Sequence, residues 1–287
     1  MKIICAVNNK GGVGKTTVTK IMLDYFSTIE KKSILGLDMD HQCNLSNRYL
    51  AMDIDQNEDK IPPLHPDADE EELYPGWDGR SSIADIFYAK PVLPYSTHIP
   101  NLDILPGNTN LLLNAEQVRK EEVVERIQNQ LHAFLSLPEV HQTYEMVIID
   151  TPPSKGPLTK SVIRAASHIV IPTVMEPQPI EGVFGMLQLW KQEQFKRKKE
   201  NPIHLLGILP NMYSSNITLH RDLKQSLESN ASISNFVLPV QLGRRVAFAE
   251  IDDKTTEPTS IFNLHDNNQA KEEALHFCKY ISQRIFA

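Results

Sequence analysis

The sequence predicts an α/β protein built on one doubly wound, mostly parallel sheet flanked by helices, and three observations carry that reading. Short β-branched runs alternate with longer helical patterns along the chain. Most of those runs are apolar throughout rather than alternating, as strands covered on both faces must be. Of 287 residues, 41% are hydrophobic and 23% charged, the make-up of a folded globular protein. Helices between the strands supply the right-handed crossovers of a parallel sheet. Residues 1–287 read as a single domain.

Taken in order, strands are predicted at Lys2 to Val7, Ser33 to Asp38, Leu102 to Leu105, Met146 to Asp150, His168 to Val174, Leu205 to Leu209 and Phe236 to Leu238. The first helix starts at Gly14-Lys15, with Val18, Ile21, Met22, Tyr25, Phe26 and Ile29 at the three-and-four spacing of one buried stripe. Later helices are expected over about 110–137, 180–199, 218–227 and 267–285. Residues 53–79 break the pattern with ten acidic side chains and Pro62, Pro63, Pro66 and Pro75, and read as an exposed insertion. Asp53, Asp55, Asn57 and Asp59 have the spacing of a calcium loop, but Glu58 stands where such a loop needs glycine and Leu64 where it needs glutamate. A solvated acidic loop is the better reading.

Composition excludes several classes. No run reaches the roughly 18 apolar residues that a membrane-crossing helix needs, and the apolar run Ile3 to Val7 is too short for a secretion signal. Cys5, Cys43 and Cys278 are widely spaced, which suggests reduced thiols rather than disulfides or a cysteine metal site. A net charge of −7 means that any nucleic-acid contact must come from a local basic patch.

The strongest signal is Asn8-Asn9-Lys10-Gly11-Gly12-Val13-Gly14-Lys15-Thr16-Thr17, between a buried strand and an amphipathic helix. Small residues let backbone N–H groups turn inward around an anion, and the helix N-terminus adds its positive dipole end. Lys15 can reach β- and γ-phosphates, and Thr16 can offer its hydroxyl to Mg²⁺. The ordinary pattern places glycine at residue 9; this chain has Asn9, followed by an additional lysine, Lys10. A lysine at the loop entrance is badly placed for its own nucleotide but can reach that of a facing subunit.

Lys10 to Thr17 match K-G-G-x-G-K-[ST]-T at every position, and the chain here resembles the ParA/MinD superfamily of deviant Walker A ATPases. Asp38-Met39-Asp40-His41-Gln42-Cys43-Asn44 is similar to that family's D-x-D-x-Q-x-N strand end, with His41 in place of proline and Cys43 in place of glycine. Asp150-Thr151-Pro152-Pro153, ending an apolar strand, resembles its Walker B strand and D-x-P-P switch. The resemblance continues through Ile171-Pro172-Thr173, Glu181-Gly182, Gly207 to Tyr213 and Val246 to Glu250.

The resemblance implies ATP and Mg²⁺ as cofactors. Lys10 to Thr17 would bind the nucleotide, Lys10, Lys15 and Asp40 would act in hydrolysis, and Asp40 would orient the attacking water. Thr16, Asp38 and Asp150 would serve the metal. Asn211 would contact adenine, with the segment after Pro239 closing the other side. Reading Asp38, Asp40, His41 and Cys43 instead as a transition-metal cluster meets the difficulty that neighbouring side chains on a strand end point to opposite faces.

Within the superfamily, the closing stripe Ala274, Phe277, Cys278 and Ile281 has the spacing of a helix packed on its own domain, so MinD-like membrane binding is not expected. The cysteines do not fit a shared iron–sulfur cluster. Residues 180–254 carry ten Lys/Arg against eight Asp/Glu, and Lys196 to Lys199, Arg221, Lys224, Arg244 and Arg245 can gather to neutralise phosphates. The last four are the DNA-binding candidates. With Lys2 already opening the first strand, an operator-binding extension is not expected. The implied function is a cytoplasmic, nucleoid-associated partition ATPase. It would form an ATP-dependent homodimer, bind DNA nonspecifically, and hydrolyse ATP when stimulated by a ParB-like centromere-binding partner. A ParA-like positioner of a large protein assembly, a MinD-like regulator and a metabolic P-loop enzyme are the alternatives.

Overall fold

The computed structural model describes residues 1–68, 77–251 and 260–286. In chain order the strands are β1 (Lys2–Ala6), β2 (Ile34–Asp38), β3 (Asp53–Ile54), β4 (Lys60–Ile61), β5 (Tyr95–Ser96), β6 (Leu102–Leu105), β7 (Met146–Asp150), β8 (His168–Thr173) and β9 (His204–Pro210). The α-helices are α1 (Lys15–Asp24), α2 (Asn44–Tyr49), α3 (Thr109–Gln117), α4 (Glu121–Leu135), α5 (Pro138–Thr143), α6 (Pro157–Ala165), α7 (Pro177–Lys196), α8 (Thr218–Ser229), α9 (Val246–Glu250) and α10 (Gln269–Phe286). They group into two compact units, one of Met1 and Phe26–Ala165, the other of Lys2–Tyr25 and Ala166–Ala287.

In the first unit β2 runs parallel to both β6 and β7, with β5 antiparallel on the edge of β6. Every residue of β2 and β7 is buried, the result their continuous apolar sequences require. Their register sets Asp38 opposite Asp150, so two carboxylates leave the C-terminal ends of neighbouring strands side by side. In the second unit β8 lies between β1 and β9, all parallel. Ala274, Phe277, Cys278 and Ile281 of α10 are fully buried, and the Cys278 thiol donates to the Ile21 carbonyl of α1. The α/β class with mostly parallel strands is borne out.

Three local expectations are corrected. The helix predicted over 110–137 is two helices, α3 and α4, parted by extended Val118 and Lys120. A continuous helix would set buried Ala115 and Ile127 about a third of a turn apart, and the break lets each helix aim its own stripe. Phe236 to Leu238 form no strand; the chain makes a 3₁₀ turn over Ser234–Phe236 and a single bridge from Val237 to Ile208. Pro239, which follows, has no N–H to extend a ladder. Ile29 is 44% exposed because a π turn over Tyr25–Ile29 adds a residue to the helical repeat and swings it off the stripe.

Part of the acidic insertion, 69–76, lies outside the described residues. In the rest, β3 and β4 form an antiparallel hairpin, and buried His65 packs against the rings of Trp77 and Tyr95.

Candidate active site

The phosphate loop begins with a staple. Buried Asn8 donates from its side-chain amide to the Pro172 carbonyl at 3.0 Å and accepts the Lys10 N–H at 3.0 Å, tying the loop entrance to the end of β8. Across that entrance lies Gly182 of α7. A Cβ there would stand 2.5 Å from Asn8 Oδ1 and 2.9 Å from Lys10 Cγ, so only glycine admits the helix this closely. Gly14 closes the loop at φ 81° as the N-cap of α1, and a Cβ on it would collide with the Asn211 amide. As N-cap, Gly14 brings no side chain of its own to α1, so the helix N-terminus, with its positive dipole end, opens directly from the loop. Around Gly11 and Gly12 the space is open to at least 4 Å from where a Cβ would stand.

The two loop lysines differ in placement. Lys15 is buried and folds back over the loop, its Nζ 3.2 Å from the Lys10 carbonyl. The Lys10 ammonium instead lies 3.9 Å from Glu181 of α7, itself 78% exposed. Long, solvent-facing pairs of this kind contribute little, so this ammonium is easily recruited elsewhere.

Asn211, at the end of β9, donates to the Val13 carbonyl at 2.8 Å and accepts the Met212 N–H at 2.9 Å. One amide hydrogen remains for another acceptor. Beside it opens a cavity of about 610 Å³, lined by Asn211, Met212, Leu242, Val246, Phe248 and Ala249 with Thr17, Gly243, Arg244 and Arg245. An apolar slot with few polar groups at its rim suits a flat heterocycle. Its wall is pinned by a residue that motif reading missed. Glu273 of α10 accepts the Gly243 N–H at 2.7 Å and the Arg245 guanidinium at 2.7 Å. Nothing in the local sequence marks Glu273, because its partners lie 28 and 30 positions away.

In the other unit, Asp38 is wholly buried. Its Oδ2 accepts the Ser46 hydroxyl at 2.6 Å and the Ser46 N–H at 2.8 Å, and its Oδ1 accepts the Asp40 N–H at 3.2 Å. Burial pushes this carboxyl above the usual range, the Ser46 bonds oppose the shift, and the Asp40 charge adds to it. Asp40 Oδ1 accepts the Gln42 N–H at 3.0 Å, with His41 Nδ1 3.5 Å away. The Asp40 carbonyl accepts the Cys43 N–H, and Thr109 donates to the His41 carbonyl at 2.9 Å. Asp150, also buried, accepts the Thr151 N–H on Oδ1.

The basic candidates scatter in their surroundings. Arg221 donates to the Ser215 carbonyl and Thr218 hydroxyl, at the start of its own helix, and Lys224 pairs with Glu228 while lying over the Tyr213 ring. Arg244 is exposed, whereas Arg245 is held by Glu273. Lys196 pairs with Glu193, and Arg197 donates to the Ala166 carbonyl.

A family profile described as an AAA domain matches residues 1–204 of this chain. The Bacillus subtilis sporulation initiation inhibitor protein Soj is 33% identical over 186 residues, 65% of this chain and 63% of Soj. The chain belongs to this family, within the ParA/MinD superfamily of ATPases. This ParA-like ATPase is also similar along its whole length to the virulence plasmid ParA family protein pGP5-D of Chlamydia psittaci. The identity there is 25%, over 100% of this chain and 96% of that protein. Among solved structures, a putative plasmid partition protein from Borrelia burgdorferi bound to AMPPNP has a TM-score of 0.69 at 18% identity, over 99% of each chain. An ATP complex of Cyanothece McdA reaches 0.74 at 15% identity, over 99% of this chain and 96% of that one. These likenesses show the P-loop fold. Among the described residues no helix is long and apolar enough to cross a membrane.

Proposed function

We propose that this ParA-like ATPase partitions DNA by an ATP-dependent dimerisation switch carried on one ATPase domain. The observation that supports it most is the placement of Lys10, turned toward exposed Glu181 rather than into its own loop. In that position the ammonium is suited to the triphosphate of a second copy, and ADP, lacking the γ-phosphate, would hold the pair less well.

ATP with Mg²⁺ fits the residues present. The open loop at Gly11 and Gly12, the N-terminus of α1 that opens from Gly14 and buried Lys15 suit phosphates, and the slot beside Asn211 suits adenine. Thr16 would ligate Mg²⁺, which neutralises charge on the phosphates. The oxygens of Asp38 already accept protein N–H and O–H groups, so Asp38 is suited to orient the metal's waters, as is Asp150, rather than to replace them. Asp40, its carboxylate aimed by the Gln42 N–H, would hold the attacking water.

The dimer would bind DNA through phosphates, without sequence preference and with strong salt dependence. Exposed Arg244 is the leading contact, with Arg221, Lys224 and Arg245 beside it in the proposal; a ParB-like protein would stimulate hydrolysis, and the ATP form would reside on the nucleoid. DNA binding measured with no nucleotide, ADP and ATP tests this reading. Retention only with ATP supports it, and equal retention in all three states contradicts it.

A further inference from the structure

We propose that Lys60, inside the acidic insertion, is a positioning residue for ATP hydrolysis that holds the turn carrying Asp40; this rests on the reading of Asp40 given above. The β3–β4 hairpin pairs Asp53 with Ile61 and Ile54 with Lys60. Its three aspartates are engaged by protein groups. Asp55 Oδ1 accepts the N–H groups of Asn57 and Asp59 and closes the tip, Asp53 pairs with Arg80 at 2.6 Å, and Asp59 accepts from the Asn110 amide of α3 at 2.7 Å. Anchored in this way, the hairpin directs one long cation back at the motif turn.

Lys60 Nζ donates to the Gln42 carbonyl at 2.7 Å and lies 3.5 Å from Asn44 Oδ1. Gln42 is also the residue whose N–H is bound by Asp40 Oδ1. It is therefore gripped on both sides, by the carboxylate that it aims and by the ammonium of the insertion. The turn needs such holds. Cys43 stands at φ 50°, in the left-handed region that side chains disfavour, so the turn does not maintain this shape by local preference alone. Thr109 fixes the His41 carbonyl and Lys60 the next one along. Without Lys60, Gln42 is free to tilt, and the Asp40 carboxylate loses the N–H that orients it. An ammonium on a carbonyl is a charge-assisted bond that methionine cannot make and arginine can.

The test compares Lys60→Met and Lys60→Arg with wild type in two measurements: steady-state ATP turnover, and amide hydrogen exchange of residues 40–44 in nucleotide-free protein. Lys60→Met is expected to lower kcat about tenfold with the KM for ATP unchanged, as for a group that acts on the chemical step and not on binding. It is also expected to speed exchange at Gln42 and Cys43, while Lys60→Arg restores both. Lys60→Met turning over at the wild-type rate while Asp40→Ala is inactive overturns the role of Lys60, as does a fall in kcat with unchanged exchange at 40–44. Asp40→Ala turning over at the wild-type rate overturns instead the role given to Asp40, and with it any effect of Lys60 through that carboxylate.

Discussion

In the proposed mechanism the phosphate loop and the Asp38 to Asn44 turn share the chemistry, and the two are built in opposite ways. The loop is fastened by Asn8 at its entrance and by Asn211 at Val13, and is open around Gly11 and Gly12. The turn is braced along its length, with its carbonyls taken by Cys43, Thr109 and Lys60 and its carboxylates by Ser46, Asp40 and Gln42 N–H groups. A loop that receives a triphosphate can leave groups for the ligand to satisfy. A carboxylate in the role proposed for Asp40, holding one water, has no ligand to organise it and has to be set in advance by protein. Changes in the loop should therefore cost function, and changes in the buried groups that hold Asp38 should cost stability first.

Lys15→Ala gives the largest effect. ATP turnover should fall by at least about 100-fold, the loss seen when a main stabiliser of developing charge is removed, while urea unfolding should shift less than in a variant of the groups that hold Asp38. A large loss of stability would break the contrast.

His168 calibrates the scale from the strand core of the second unit. Burial, with smaller contributions from His204 and Lys2, lowers its pKa to about 4. The unfolded chain takes up this proton near pH 6.5 and the folded chain only near 4. The unfolded state thus binds more protons in that window, and stability falls as pH drops through it, by up to roughly 3 kcal/mol. His168→Gln should flatten the acid limb of a urea-midpoint-against-pH plot; an unchanged limb would place the dependence elsewhere.

Ser46→Ala removes the hydroxyl from buried Asp38, and unfolding free energy should drop by about 2 kcal/mol, the range for hydrogen bonds to charged groups. Its nucleotide affinity should change little, and calorimetric titration would show this. Asn211→Ala is the smallest. ATP binding should weaken about tenfold, equivalent to one lost hydrogen bond and a loosened loop, read by titration with a fluorescent ATP analogue.

The loop and the strand ends were legible in the sequence because glycines at Gly11, Gly12 and Gly14 beside Lys15, and carboxylates closing apolar runs at Asp38 and Asp150, follow from local chemistry. Family likeness pointed to Asn211 as an adenine contact, and its bond to Val13 needed the fold. The braces were not legible. Thr109 lies 68 positions from its partner His41, and Lys60 lies 18 from Gln42 inside a segment that reads as solvated acid. The break between α3 and α4 escaped because each half keeps a helical pattern, and only the phase of the buried side chains separates them.

The proposed switch makes Lys10 the difference between a nucleotide loop that works alone and one that works in pairs. Sedimentation velocity of Asp40→Ala, and of Asp40→Ala combined with Lys10→Ala, with ATP and with ADP, puts this to the test. The account predicts a dimer for Asp40→Ala with ATP only, and a monomer throughout once Lys10 is removed. A monomer in ATP-loaded Asp40→Ala, or an equal dimer without Lys10, would contradict it.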